Sequence, residues 1–323
     1  MKAFVTGGTG FIGSHLVDTL LEDSRFSEIK CLVRSNERWL KGKNFTRIDG
    51  DLFALKNIRE ALKDVDIIFH LAGVVKAPTQ QEFNYANVEA TENLIRLAQK
   101  EGVKKLVILS SLAASGPSNG KPKTESDPMH PVSMYGRSKK QMEKMIHETA
   151  AKELSVTILR PPAVFGPRED QIFTLFKMMD NKITPIVGSG FEPKLSIVYV
   201  DDVVQGILLA AEQKSPGIHT YFISGNVTCW NEIKQIAEIV LGKKTYSIKL
   251  KPNWVKRISA LVETSASFFG IYPVVNREKA SEMILEWTCS SEKAEMELGY
   301  KPEHSLEEGI SRTIRWYKKH QWL

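Results

Sequence analysis

The chain has 323 residues, of which 42% are hydrophobic and 25% are charged, a composition typical of globular proteins with an adequate core. Its length predicts either two domains or one large α/β domain with a lobe attached. The net charge is +6, and the lysine pairs are scattered along the chain, so no segment resembles a basic arm or a nucleic-acid-binding module. A mildly basic charge suits an anionic cofactor or substrate.

The three cysteines, Cys31, Cys229 and Cys289, lie far apart and show no metal-ligand spacing. An odd and sparse count predicts a reducing compartment, so we expect a cytoplasmic protein without disulfides or a bound metal. We expect no signal peptide, because the first residues already form a strand, and no membrane span, because every apolar run is too short. The most apolar segment, residues 255–275, predicts an amphipathic or buried helix, with weak membrane contact as the alternative.

The chain opens with an apolar strand at residues 3–5, a glycine-rich turn and a helical pattern of apolar residues. This order is the one that a dinucleotide-binding loop requires. Gly7 allows the sharp turn, Gly10 lets a pyrophosphate approach the backbone, and Gly13 lets the helix pack close to the sheet. The free N–H groups at the helix N-terminus would then face the phosphates.

Residues 29–33 predict a second strand, and Arg34 follows it at the position where an NAD site carries an acidic residue. An arginine there accommodates a 2′-phosphate, so NADP is preferred over NAD. The alternative is NAD, with Arg34 stacked on adenine or facing solvent.

Residues 47–52 predict the end of a third strand and a turn, and further strands are predicted at 66–71 and 106–109. Helices are predicted at 54–62 and 82–100. Alternating strands and helices predict a Rossmann-type, doubly wound parallel sheet. Ligands of such sheets bind at the carboxyl ends of the strands. The residues at those ends are Gly7, Arg34, Asp51, Ala72 and Ser111.

Two further features lie next to these strand ends: a histidine and a polar loop. His70 ends the fourth strand, and a structural role near the cofactor is favoured over that of a catalytic base, because no acid or second histidine is close in sequence. Residues 115–133 are rich in Gly, Pro, Ser, Lys and Asp, and they predict a surface loop that borders the site.

A helix follows that loop, and in it Tyr135 and Lys139 are four residues apart, on one face. An unperturbed tyrosine has a pKa of about 10, and an adjacent lysine cation favours the phenolate. Ser111 is placed to hydrogen-bond a substrate oxygen and hold it toward Tyr135. The spacing alone also occurs by chance on many helices, but it follows the glycine turn and Ser111 in the expected order.

In the second half, residues 155–160 predict a sixth strand and 201–211 a helix, while 169–195 leave the sheet. The resulting division assigns residues 1–165 to a dinucleotide-binding domain, with returns around 196–224. A smaller substrate-binding lobe would comprise 166–195 and 225–323. The C-terminal aromatics Trp316, Tyr317 and Trp322 predict packing contacts.

The chain resembles the extended short-chain dehydrogenase/reductase family, also called the NAD-dependent epimerase/dehydratase family. The matching segments are TGGTGFIG at 6–13, GDL at 50–52, HLAG at 70–73, SS at 110–111, YGRSK at 135–139, LRPPAVFGPR at 159–168 and VYVDDV at 198–203. The resemblance implies an enzyme whose catalytic residues are Ser111, Tyr135 and Lys139. The residues that it implies for NADP or NAD binding are Gly7, Gly10, Phe11, Ile12, Gly13, Arg34, Asp51, Leu52, Leu71, Ala72, Tyr135, Lys139 and Pro161. It also suggests a homodimer through the helices at 80–100 and 134–152.

Within this family we prefer a reductase or dehydrogenase acting on a small-molecule ketone or alcohol, similar to dihydroflavonol reductases and 3β-hydroxysteroid dehydrogenases. The acidic pair of sugar dehydratases is absent after Ser111, where Leu112 and Ala113 follow. Ala163 stands where nucleotide-sugar epimerases commonly carry an asparagine, and Lys194 lies near the place of their arginine. A nucleotide-sugar epimerase remains the alternative, and a non-catalytic cofactor-sensing protein is a remote third.

Overall fold

A computed structural model of the protein describes residues 1–213, 215–250 and 277–323. The expected apolar helix over 255–275 lies outside the described residues. Within those residues, no helix is long and apolar enough to cross a membrane.

The core of the fold is a seven-stranded sheet in which every pair of neighbouring strands is parallel. Its strands are β1 (Lys2–Thr6), β2 (Glu28–Val33), β3 (Thr46–Asp49), β4 (Ile67–His70), β5 (Lys105–Leu109), β6 (Ser155–Arg160) and β10 (Gly217–Phe222). They lie in the order β10-β6-β5-β4-β1-β2-β3. After β3 the chain crosses back over the sheet and adds β4 on the other side of β1, so the strand order reverses between β1 and β4. The prediction of a Rossmann-type doubly wound sheet is confirmed.

Helices cover both faces of this sheet, and further helices pack in a separate cluster beside it. They are α1 (Phe11–Glu22), α2 (Leu55–Leu62), α3 (Gln80–Asn84), α4 (Ala90–Lys100), α5 (Leu112–Ser115), α6 (Met134–Thr149), α7 (Gln171–Asp180), α8 (Val200–Glu212), α9 (Trp230–Leu241), α10 (Arg277–Glu282), α11 (Glu292–Leu298) and α12 (Leu306–Lys319). Ala3 and Val5 point toward α1 and α8, whereas Phe4 points toward α2, α4 and α6. Both faces are therefore buried, which explains why these strands are apolar without alternation.

Outside the main sheet, two small sheets carry the remaining strands. They are formed by β7 (Ala163–Phe165), β9 (Leu195–Tyr199) and β11 (Asn226–Thr228), and by β8 (Ile183–Val187) and β12 (Tyr246–Leu250). The chain thus leaves the main sheet after β6 and returns to it with β10. The bounds of the two predicted domains stay a prediction.

The prediction of one regular helix over 82–100 is wrong. Helical structure begins at Gln80, and a π-helical turn, Tyr85–Glu89, separates α3 from α4. Such a turn inserts one extra residue and changes which side chains face inward. Here it directs Asn87 into the interior, where only 1% of its surface is exposed.

The loop over 115–133 is exposed only in part, so its assignment to the surface is wrong for its first residues. Residues 114–118 are buried beneath the segment that follows α10. The backbone N–H of Ser118 donates to the Glu286 carbonyl at 2.9 Å, and that of Lys123 donates to the Thr288 carbonyl at 2.9 Å. A segment 168 residues further along the chain covers the start of this loop, and no local pattern in the sequence indicates that contact.

The C-terminal aromatics pack as predicted. The Tyr317 and Trp322 rings stack with centroids 5.5 Å apart, and Trp316 lies edge-on to Trp322. Trp39, in a short 3₁₀ turn after β2, contacts both tryptophans. The chain end is therefore anchored against the segment that follows β2.

Candidate active site

A cleft of about 860 Å³ lies along the carboxyl ends of β1, β2, β3 and β4. Among the residues predicted to bind the cofactor, those that line it are Gly7, Gly10, Arg34, Asp51, Leu52, Leu71 and Ala72. The rest of its wall is formed by Thr9, Leu32, Gly50 and Phe53 and by residues from the segment 73–90. The site where parallel strands end and the strand order reverses is the expected binding place for a dinucleotide.

Two glycines of the turn, Gly7 and Gly13, have no room for a side chain. Gly7 has a φ of +75°, and a Cβ there would lie 2.5 Å from the Ala72 nitrogen. A Cβ on Gly13 would lie 2.1 Å from the Gly7 carbonyl oxygen, so the first turn of α1 packs directly on the preceding loop. Gly10 precedes α1 without a capping side chain. These features fit a pyrophosphate at the helix N-terminus.

Phe11, Ile12 and Gly13 are not among the residues that line the cleft. The Phe11 ring contacts His15, and Ile12 packs against the core. Only their backbone N–H groups, which have no acceptors within the helix, are placed to contact a phosphate. Pro161 does not line the cleft either, and its carbonyl accepts a hydrogen bond from the Leu112 N–H at 2.9 Å.

Arg34 lines the cleft beyond the end of β2. The nearby acids are engaged by another cation, since Arg47 pairs with Glu37 at 3.0 Å and with Asp49 at 2.7 Å. Arg34 makes no ion pair within the described part of the chain. Its guanidinium is therefore available to an anionic group in the cleft.

Tyr135 and Ser111 face each other across the ends of α6 and β5. Burial raises the pKa of Tyr135 to about 12, an interaction with the Ser111 hydroxyl partly offsets this, and the Glu282 carboxylate raises it further. The expected lowering by Lys139 is not found, so that part of the sequence interpretation is wrong. The physical reason is that desolvation of the phenolate outweighs the favourable contacts here. Tyr135 is therefore protonated at neutral pH.

Lys139 is 5% exposed, and its Nζ donates to the Leu109 carbonyl at 2.9 Å. Burial lowers its pKa to about 8, and Glu143 opposes this change. A Cβ on Gly73, which lines the cleft, would lie 3.4 Å from Nζ. Lys139 therefore lies at the end of the cleft, where the cleft meets α6, the helix that also carries Tyr135.

His70 is a buried structural histidine, as favoured from the sequence. Thr91 Oγ1 donates to the Asn87 carbonyl at 2.7 Å, so it accepts from His70 Nε2 at 2.8 Å. His70 Nδ1 is then the acceptor of the Thr6 hydroxyl at 2.7 Å. Burial lowers the pKa of His70 to about 3, which keeps the ring neutral. Both ring nitrogens are engaged, so neither can act as a base.

Sequence reasoning missed Asn87, which connects three segments around the site. Its Oδ1 accepts from the Val74 N–H at 2.8 Å, and its Nδ2 donates to the Val74 carbonyl at 3.1 Å and to Ser138 Oγ at 2.9 Å. Ser138 in turn donates to the Tyr135 carbonyl at 2.8 Å. No local signal in the sequence identifies this asparagine, because its inward direction comes from the π-helical turn.

The comparisons with known proteins agree with this geometry. The model of the NAD-dependent epimerase/dehydratase family matches residues 3–223. A ceramide reductase from Caulobacter vibrioides is 27% identical over 99% of this chain and 95% of its own length. A putative UDP-glucose 4-epimerase from Methanocaldococcus jannaschii is 30% identical over 97% of both chains. The structure of a dTDP-glucose 4,6-dehydratase from Streptomyces venezuelae with NAD bound is 26% identical and superimposes with a TM-score of 0.82, covering 100% of this chain and 98% of the other.

Proposed function

Because the chain belongs to the NAD-dependent epimerase/dehydratase family, we propose that it is an NADP-preferring reductase of neutral ketones. The glycine turn and the cleft fit a dinucleotide, which supplies a hydride when bound. Tyr135 donates the proton to the carbonyl oxygen as the carbonyl carbon becomes a secondary alcohol. Ser111 hydrogen-bonds the same oxygen and orients it. The phenolate that remains on Tyr135 is reprotonated before the next turnover, and Lys139 lies at the end of the cleft beside Gly73.

The placement of the reacting groups is the observation that carries this proposal. Ser111 and Tyr135 interact with each other, and Lys139, on the same face of α6, lies at the end of the cleft. Burial raises the pKa of Tyr135, so its hydroxyl is a proton donor in the neutral range.

The charge near Tyr135 favours a neutral substrate over a nucleotide diphosphate. Glu282 of α10 raises the pKa of Tyr135 through its negative charge, and it would also repel an anionic substrate. Glu278 of the same helix accepts from the Met134 N–H at 2.9 Å, so α10 is docked on the start of α6. Ala163, on the edge of the neighbouring sheet, offers no polar side chain for a diphosphate.

The relatives support both leading candidates. The Caulobacter protein named as a ceramide reductase matches nearly the whole chain, and a ceramide is a neutral, apolar molecule. The Methanocaldococcus protein named as a putative UDP-glucose 4-epimerase supports the second candidate, a nucleotide-sugar epimerase. A non-catalytic role receives least support, because Ser111, Tyr135 and Lys139 are all present.

The two candidates are separated by a direct assay. We expect the purified protein to oxidise NADPH when a neutral apolar ketone is added and to leave UDP-glucose unchanged. We further expect denaturation of the purified protein to release little NAD, because a reductase exchanges its cofactor at each turnover. Interconversion of UDP-glucose and UDP-galactose by a protein that retains NAD would contradict the reductase.

Arg34 provides a test of cofactor preference. Replacing Arg34 with alanine is expected to weaken NADPH binding about tenfold to a hundredfold, because a charged hydrogen-bonding partner of the 2′-phosphate is lost. NADH binding should change by less than about twofold, as measured by titration of cofactor fluorescence. Arg38→Ala, in the same segment, is a suitable control. An equal loss for both cofactors would show that Arg34 does not recognise the 2′-phosphate.

The homodimer through the helices at 80–100 and 134–152 and the cytoplasmic location stay predictions. The outward face of α6 is polar, and its Lys144 and Glu148 form an exposed pair.

A further inference from the structure

Three consecutive residues at the end of β5 contact three positions on one face of α6. The Leu109 carbonyl accepts from Lys139 Nζ at 2.9 Å, and Ser110 Oγ donates to Glu143 Oε1 at 2.5 Å. Ser111, the next residue, interacts with Tyr135. The helix positions are four residues apart, so they form one row facing the strand end. Each of the three residues at the strand end therefore has its own contact on α6.

Glu143 extends this connection to β6. Its carboxylate accepts from Arg160 Nη2 at 2.5 Å and from Nε at 3.1 Å, and the two side chains are 3% and 6% exposed. Arg160 is the last residue of β6, and the preceding carbonyl, that of Leu159, accepts from the Ser110 N–H at 2.7 Å. The carboxylate of Glu143 thus links α6, β5 and β6 beside the candidate catalytic residues.

Stability alone is a poor explanation for this buried pair. Desolvation of two charges offsets much of their attraction, and apolar side chains of similar volume often serve a core equally well. Arg160 Nη1 is moreover buried without a partner among the described residues, which adds a further penalty. What the pair does provide is a fixed, directional contact to the Ser110 hydroxyl.

We propose that Glu143, held by Arg160, is a positioning residue that acts through Ser110 to fix Ser111 and the Leu109 carbonyl opposite Tyr135 and Lys139. This inference rests on the catalytic roles assigned under the proposed function. Because neither Glu143 nor Ser110 lines the cofactor cleft, their effect is on the spacing of the reacting groups.

Two charge-preserving variants test the connection. Glu143→Asp keeps the negative charge but shortens the side chain, and Ser110→Ala removes only the hydroxyl. Each is expected to lower kcat about tenfold, because small misplacements of reacting groups are costly, while the KM for NADPH stays unchanged. The double variant should be no worse than either single one, since both remove the same hydrogen bond. Glu148→Asp, the same substitution at an exposed ion pair of α6, is the control.

A second measurement needs no substrate. With ¹³C-labelled lysine, NMR can follow the titration of Lys139, whose signal is identified by its absence in Lys139→Met. We expect the pKa of Lys139 to fall below its starting value of about 8 in both variants, because the ammonium loses its fixed carbonyl acceptor.

The outcomes distinguish this inference from the proposed function. An unchanged kcat and an unchanged Lys139 titration in folded Ser110→Ala would overturn the positioning role, and so would additive losses in the double variant. If the wild-type protein reduces no ketone, the proposed function fails, and the Lys139 titration still decides whether Glu143 and Ser110 position the site. Should Glu143→Asp fail to fold, Ser110→Ala decides alone.

Discussion

Replacing Tyr135 with phenylalanine is expected to lower kcat about a thousandfold, because the variant lacks the proton that the carbonyl oxygen must receive. The change removes one oxygen atom and leaves the ring in contact with Phe83. Since the cleft is lined by other residues, NADPH should bind with unchanged affinity. Steady-state kinetics and a fluorescence titration of NADPH measure the two quantities separately.

Tyr246→Phe provides the matched control for this variant. Tyr246 lies on β12 and is 79% exposed, so loss of its hydroxyl should leave kcat unchanged. Near-normal turnover by Tyr135→Phe would show that another group donates the proton. A parallel loss of NADPH affinity would instead place the Tyr135 hydroxyl in cofactor binding.

Replacing Gly13 with alanine is expected to damage both cofactor binding and stability. The added Cβ would lie 2.1 Å from the Gly7 carbonyl oxygen and 2.9 Å from Gly8 Cα, so backbone must move. We expect the free energy of unfolding to fall by about 1–3 kcal/mol, as is typical of overpacking. The shifted loop should also weaken NADPH binding at least tenfold, because its N–H groups no longer converge on the phosphates.

Gly8→Ala is the control for this effect. Its Cβ would meet only side-chain atoms of Val17, Val5 and Leu40 at 3.3–3.5 Å, and these can give way. Denaturant unfolding and NADPH titration should therefore show a much smaller change than in Gly13→Ala. If Gly13→Ala unfolds and binds NADPH as the wild type does, the close packing of α1 on the glycine turn is not required for binding.

Local patterns in the sequence were sufficient for six of the seven strands of the main sheet and for the side of the cofactor cleft that the strand ends form. The buried apolar strands, the glycine turn and the residues that follow each strand end all depend on neighbours within a few positions. Parallel strands bring their carboxyl ends to one edge, so Gly7, Arg34, Asp51 and Ala72 meet in one cleft. The spacing of Tyr135 and Lys139 likewise needs only helical periodicity.

Contacts between distant segments decided the properties that local patterns did not show. The raised pKa of Tyr135 depends on burial and on Glu282, which is far away in the chain. Asn87 joins Val74 to the Tyr135 helix only because a π-helical turn directs it inward. The burial of the start of the 115–133 loop also depends on a distant segment, because the backbone of residues 286–288 covers it.

The sequence by itself therefore determined the alternation of strands and helices, the glycine turn and the spacing of Tyr135 and Lys139, because periodicity and turn chemistry are local. Only the tertiary structure decided the raised pKa of Tyr135 and the contact of Glu143 with Ser110. Desolvation and the field of surrounding charges depend on every segment packed around a group, and no spacing along the chain encodes them.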